Sequence, residues 1–225
     1  MSLQTCFDEN ANTYEIGVDE VGRGPMFGRV YSAAVVLPKS SDFFDHSRMK
    51  DSKRFHSKKK IEEVAEYIRN NAIAWSVSYE EADVIDQINI LQATQKSMHT
   101  CIKEIISKLP SSKDTQIQLL IDGNYFKPYT HFNKERGMID AVPHVCVEGG
   151  DNKFTAIAAA SILAKVARDE YIADLCSQHP ELEENYGIAS NKGYGSKRHM
   201  DGIQKHGITI WHRRSFGICK TYAKI

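Results

Sequence analysis

The sequence predicts an α/β fold: a mixed sheet flanked by helices, with a small helical C-terminal appendage. Three observations lead there. Short β-branched runs bounded by Gly or Pro alternate with longer stretches of helical period. One run, "IQLLI", is apolar at four of its five positions, as suits a strand covered on both faces. Two strands come first and helices and strands then alternate, which suits helices layered on a sheet.

"YEIGV" (14–18) and "RVYSAAVVL" (29–37) read as the first strands. "SKKKIEEVAEYIRN" sets Ile61, Val64, Ala65 and Ile68 at helical spacing behind Ser57 as the N-cap. "AIAWSVSY" (72–79) reads as a third strand. Residues 81 to about 108 predict one long helix with Val84, Ile88, Leu91, Met98, Ile102 and Ile105 on a stripe, closed by Pro110. "IQLLI" (117–121) is the buried strand, "DGNYF" leads into a polar loop, and "AVPHVCVE" (141–148) is a further strand. Gly149, Gly150 and Asp151 then open an Ala-rich helix running to about residue 176, and the remainder reads as short helix and loop. No internal repeat or linker interrupts the 225 residues, so a single domain is expected: a tail (1–13), a core (14–180) and a basic C-terminal segment (181–225).

The composition is globular, 41% hydrophobic and 26% charged. No apolar run approaches the roughly 18 residues of a membrane span, and "MSLQTCFDENANTYE" lacks the regions of a secretory signal, so an intracellular, cytoplasmic location is expected. Five scattered cysteines form no C-x-x-C pair and indicate neither a disulfide framework nor a zinc site. The zero net charge hides segregation: residues 48–60 and 191–220 each hold seven Lys or Arg against one acid, leaving 15 bases and 27 acids elsewhere. Such basic segments suit a nucleic-acid partner or simply a solvated face.

Asp19 and Glu20 end the first strand, Asp122 ends the fourth, and Asp151 stands at the mouth of the Ala-rich helix. Ligand sites in open α/β sheets lie outside the carboxyl ends of strands, so these acids are placed to converge. Convergent carboxylates repel one another unless cations lie between them, and an all-oxygen set selects Mg²⁺ or Mn²⁺ over zinc. Two ions about 4 Å apart would clamp both oxygens of a phosphodiester displacement. Taken singly, Asp151 reads equally as a helix cap and Asp122 as a turn residue before Gly123. Asp19 resists such readings, because an acid inside an apolar strand end needs a partner. "GRGPMFG" departs from G-x-G-x-x-G, and no P-loop, H-E-x-x-H or G-x-S-x-G motif is present.

"GVDEVGRGP", "LLIDGN", "GGDNKFTAIAAASILAKVARDEY", "NKGYGSKRH" and "HRRSF", in this order, resemble the ribonuclease HII family over about residues 14 to 216. The resemblance implies an RNase H-like fold and endonucleolytic cleavage of RNA paired with DNA. It extends to cleavage 5′ of single ribonucleotides in duplex DNA, leaving 3′-hydroxyl and 5′-phosphate ends. It implies Asp19, Glu20, Asp122 and Asp151 as metal-binding catalytic carboxylates for two Mg²⁺ or Mn²⁺ ions. Gly22, Arg23 and Gly24 match the ribonucleotide-sensing loop, and Tyr194 the tyrosine that packs on the ribose, since the 2′-hydroxyl distinguishes RNA from DNA. Lys53, Ser161 and Lys165 match phosphate-holding positions, with Ser161 and Lys165 one helical turn apart. Arg213 and Arg214 suit phosphate anchoring or packing alike, while His199, His206 and His212 read as surface or structural. Phe27 and Arg29 replace smaller or proline residues of the family, so the outer wall of the loop is expected to differ. "GICKTYAKI" lacks a sliding-clamp motif, and a monomer is expected. Rival readings are a hybrid-binding module without chemistry and a junction resolvase or integrase; indifference to the 2′-hydroxyl would mark the latter.

Overall fold

The computed structural model describes residues 3–110, 115–133 and 136–223. Among these residues a five-stranded mixed sheet has the order β3-β2-β1-β4-β7, built from β1 (Thr13–Val21), β2 (Val30–Val36), β3 (Ala74–Glu80), β4 (Gln116–Asp122) and β7 (His144–Val147). β1 runs parallel to β4 with Val18 opposite Ile121, and β4 runs parallel to β7 with Asp122 opposite Val147. The main helices are α1 (Lys58–Asn71), α2 (Ala82–Lys108) and α3 (Thr155–Gln178). Four short helices follow: α4 (Glu181–Tyr186), α5 (Ile188–Asn191), α6 (Lys197–His206) and α7 (Cys219–Tyr222). No described helix is long and apolar enough to cross a membrane.

The chain divides into two compact units, residues 1–20, 32–78 and 98–166 in the first and residues 21–31, 79–97 and 167–225 in the second. The first unit has a core on each face of its strands. Ile16, Val18, Leu119 and Ile121 pack with Met98, Cys101, Ile102 and Ile105 of α2. Leu120 points the other way and joins Val147, Phe154 and Ile157. This alternation is the period of two of a strand buried on both faces. The residues before β1 are tied down: the main chain of Gln4 hydrogen-bonds Lys153 and Thr155, and the Glu15 carboxylate accepts from the N–H groups of Phe7 and Asp8.

The Ala-rich sequence of α3 has a steric cause. Ala156, Ala158, Ala159 and Ala160 are buried, and the helix comes so near β1 that a Cβ on Gly17 would strike the backbone of Ala156 and Ile157. In the second unit Met26, Phe27, Ile172, Leu175, Leu182, Tyr186, Ile188 and Ile203 form one cluster, and Val30, Ile85 and Ala93 another.

Several sequence expectations meet corrections. The long helix breaks at Asn89 (φ 66°), whose side chain accepts from Gln92 N–H and so caps the second segment; asparagine tolerates positive φ, and helical periodicity hides such a break. The expected polar loop holds an antiparallel hairpin, β5 (Thr130–Asn133) and β6 (Met138–Ala141), whose short, exposed strands leave no apolar alternation to read. "AVPHVCVE" is not one strand: Ala141 ends β6, and β7 starts after Pro143, which cannot donate to a ladder. The Ala-rich helix starts at Thr155, and Asp151 sits in a 3₁₀ turn (Gly150–Asn152) before it rather than capping it. Ser57 does cap α1, accepting from Lys60 N–H.

Gly17→Ala should destabilise the protein by about 3 kcal/mol, the upper range for overpacking, because the obstacle is helix backbone. Urea unfolding measures it, and a loss below about 1 kcal/mol would mean that α3 shifts freely.

Candidate active site

Parallel pairing brings the acids together. The register that sets Val18 opposite Ile121 places Asp19 beside Asp122 at the carboxyl ends of β1 and β4. Asp122 in turn pairs with Val147, and the chain then turns through Gly149 so that Gly150 N–H donates to Asp122 Oδ1 at 2.7 Å. Asp151 follows directly.

Asp19 is 5% exposed. Its Oδ1 accepts from Glu20 N–H at 2.7 Å, and the Ser161 hydroxyl, one side of which meets Ser52 Oγ at 3.0 Å, also hydrogen-bonds it. Burial first, then the charges of Glu20 and Asp122, hold its pKa well above the ordinary 3.8. The Asp151 carboxyl is also raised, by burial and then by Asp51 and Asp122, against which Lys53 and Asn152 act. Asp51, which the sequence reading passed over, caps the 3₁₀ turn Ser52–Arg54 through Lys53 N–H and approaches Asn152. A cap signal in "DSK" was there to find it.

The oxygen-only donor set suits a hard divalent cation, and the mutual repulsion acting on Asp19 is what such a cation would relieve. As the side chains stand, no three described His, Cys, Asp or Glu groups enclose a single point. Each carboxylate leans instead on a nearby donor: Asp19 on Glu20 N–H, Asp122 on Gly150 N–H and Asp151 on the Asn152 amide.

Of the residues weighed for phosphate contact, Ser161 and Arg213 are buried. The Ser161 hydroxyl is engaged by Asp19 and Ser52. Lys165, one turn on, is half-buried, and Lys53 is exposed. In the second unit Arg213 is fully buried and is no external anchor. Its guanidinium donates to the carbonyls of Gly22 (2.6 Å), Arg23 (3.0 Å), Pro25 (2.8 Å) and Gly28 (2.8 Å). Burial, and then the neighbouring Arg168, lower its pKa, yet four carbonyl oxygens favour the charged form.

Arg168, unmarked in the sequence reading, donates to the carbonyls of Phe27, Arg29 and Lys192. Its side chain fills the space a Cβ at Gly22 (φ +88°) would need. The loop from Gly22 to Arg29 is thus braced from inside by two buried arginines, while Arg23 and Gly24 face outward. Tyr194 is half exposed, its ring 3.5 Å from the place of a Cβ on Gly24. Phe27 is buried with its ring edge-on to His212, and Arg29 lies over Tyr79 and Tyr171 while pairing with Glu81. Arg214 is exposed, and its main-chain N–H is held by Asp86. His206 is exposed, but His199 and His212 are buried.

This architecture is shared with solved ribonucleases H. Ribonuclease H2 from Pyrococcus horikoshii OT3 superposes with a TM-score of 0.65 at 21% identity, over 93% of this chain and 97% of that one. Bst-RNase HIII in complex with Mn²⁺ gives 0.68 at 17% identity, over 96% and 72%. The fold is therefore RNase H-like. The profile of the family Ribonuclease HII matches residues 16–219, and Ribonuclease HII of Cytophaga hutchinsonii is 41% identical over 220 residues, 96% of this chain and 94% of that protein. The chain belongs to the ribonuclease HII family, which makes it a metal-dependent endoribonuclease.

The raised carboxyl of Asp19 fixes a sign. The native chain holds its proton at a pH where the unfolded chain has lost it, so stability falls as pH rises through the window above 3.8. In EDTA, Asp19→Asn should gain on the wild type across that window, by about 1.4 kcal/mol for each pH unit of the native shift. Urea titrations between about pH 4 and pH 8 check this, and parallel stability curves for the two proteins would refute it.

Proposed function

We propose that the protein hydrolyses the RNA strand of RNA/DNA hybrids and cuts on the 5′ side of single ribonucleotides embedded in duplex DNA. The products carry 3′-hydroxyl and 5′-phosphate ends. The observation that carries this reading is Asp19, buried beside Glu20 and Asp122, with no cation among the groups that act most strongly on it.

Asp19, Glu20, Asp122 and Asp151 hold two divalent cations, Mg²⁺ or Mn²⁺, the latter being the ion in the Bst-RNase HIII complex. When bound, such ions activate water and stabilise charge on the leaving oxygen. The protein's residues do the rest. Ser161 orients the Asp19 carboxylate through its hydroxyl. The ammonium groups of Lys53 and Lys165 neutralise strand phosphates, and Arg214 adds an outlying contact. Gly22, Arg23 and Gly24 present main-chain polar groups to the 2′-hydroxyl, with Arg213 fixing the carbonyls of Gly22 and Arg23. Tyr194 lays its exposed ring on the ribose.

The test is cleavage of a DNA duplex containing one ribonucleotide, with Mg²⁺, Mn²⁺ or EDTA, the products sized at nucleotide resolution. A metal-dependent cut directly 5′ of the ribonucleotide is expected. Cleavage of long hybrids alone would remove the sensing role of the loop, and no cleavage of either substrate would overturn the reading.

Asp19→Asn should lower turnover by about a thousandfold with hybrid affinity retained, since it removes one ligand charge without altering shape. Full activity in that variant would exclude Asp19 from the chemistry. Arg23→Ala and Tyr194→Ala should each cost about tenfold at an embedded ribonucleotide relative to a long hybrid; equal losses on both substrates would assign them to stability.

A further inference from the structure

The second unit contains a buried histidine pair that the reaction itself does not use. His199 and His212 are 0% and 1% exposed, with their Nε2 atoms 3.1 Å apart. Main-chain groups at the two ends fix where the protons lie. Thr209 N–H can only donate and stands 2.9 Å from His212 Nδ1, so that nitrogen is bare and His212 carries its proton on Nε2. That proton meets His199 Nε2, which must also be bare. His199 then holds its proton on Nδ1, 2.9 Å from the carbonyl oxygen of Tyr194, which can only accept.

Three hydrogen bonds therefore run in one direction, from Thr209 through both rings to Tyr194. Phe27 and Tyr186 meet His212 with ring centroids 5.0 and 5.1 Å away and shut the pair in. Burial, and then His199, push His212 down to about 3, and burial lowers His199, so both rings are neutral at neutral pH. A proton on His199 Nε2 or His212 Nδ1 would break the sequence.

The far end of the chain falls at a place that needs fixing. Tyr194 lies between Gly193 (φ +82°) and Gly195, and glycine on both sides leaves its backbone free to swing. Its N–H donates to Asn191 O, and its carbonyl receives Ser196 N–H and the His199 imidazole. Of these, the imidazole alone is a side chain, and it is tied through His212 to Thr209.

We propose that His199, oriented by His212, is a positioning residue that sets the Tyr194 ring for recognition of the ribose. This rests on the reading of Tyr194 as the ribose-contacting residue. A pair that merely filled the core would affect every substrate alike, whereas a positioning pair acts on discrimination.

Two substitutions at His199 separate the two ring nitrogens. Asparagine reproduces Nδ1 and keeps a donor for the Tyr194 carbonyl. Glutamine reproduces Nε2 and keeps an acceptor for His212, but loses that donor. We would measure kcat/KM for wild type, His199→Asn, His199→Gln and Tyr194→Ala on a single embedded ribonucleotide and on a long hybrid. His199→Gln is expected to lose about tenfold on the single ribonucleotide relative to the hybrid. His199→Asn is expected to stay within about twofold of wild type in that ratio.

Equal losses in the two variants, or no loss in either, overturn the positioning role. An unchanged ratio for Tyr194→Ala overturns it by another route, because the reading of Tyr194 itself then fails. ¹⁵N-histidine NMR of the intact wild-type protein needs no variant to fold. It should show a neutral Nδ1–H tautomer for His199 and a neutral Nε2–H tautomer for His212, and the reverse assignment would refute the proposal.

Discussion

The ends of β1 and β4 in the first unit share one unfavourable interaction, the burial of the Asp19 carboxylate beside those of Glu20 and Asp122. A charged acid taken out of water next to like charges is costly, and a protein ordinarily protonates it or moves it. Here the strand pairing prevents movement, because β1 and β4 are parallel and in register up to this point. The close approach of α3 at Gly17 seats Ser161 of the same helix against Asp19. The hydrogen bonds from Glu20 N–H and Ser161 offset part of the penalty but not the repulsion. Under the proposed function, the repulsion that weakens the fold is what a bound divalent cation would relieve.

The second unit poses the converse problem and solves it with neutral oxygen. Arg168 and Arg213 are both buried, and their charges are met by main-chain carbonyls of the loop from Gly22 to Arg29 and of Lys192. Carbonyls turned inward in this way cannot compete for a ligand outside. The buried imidazoles continue the scheme, each donating once, with His212 Nδ1 facing both the N–H and the hydroxyl of Thr209. Phe27 belongs to it as well, walling in the histidine pair. Arg29 is held by aromatic faces and Glu81, so Phe27 and Arg29 both serve the frame of the loop.

Much of this was legible in the sequence. The strands of the main sheet, the cap at Ser57 and the position of Asp19 and Asp122 at strand ends follow from periodicity and from the oddity of an acid in an apolar run. The β5–β6 hairpin was not legible, since its described side chains are mostly exposed and carry no alternating burial pattern. Nor was the break at Asn89, where the apolar stripe runs on while the backbone does not.

What the sequence by itself determined is the family and the main strands and helices of the sheet layer, because these depend on residue type and spacing along the chain. Only the tertiary structure decided what several of those residues do. An arginine in "HRRSF" suits phosphate anchoring and packing alike until its guanidinium is found enclosed by four carbonyls. A serine one turn from a lysine reads as a phosphate contact until its hydroxyl is found on Asp19. Two histidines thirteen residues apart become a proton-ordered pair only when their rings meet. The reason is physical: a donor's role is set by the acceptor it faces, and which acceptor that is depends on contacts between residues far apart in the chain.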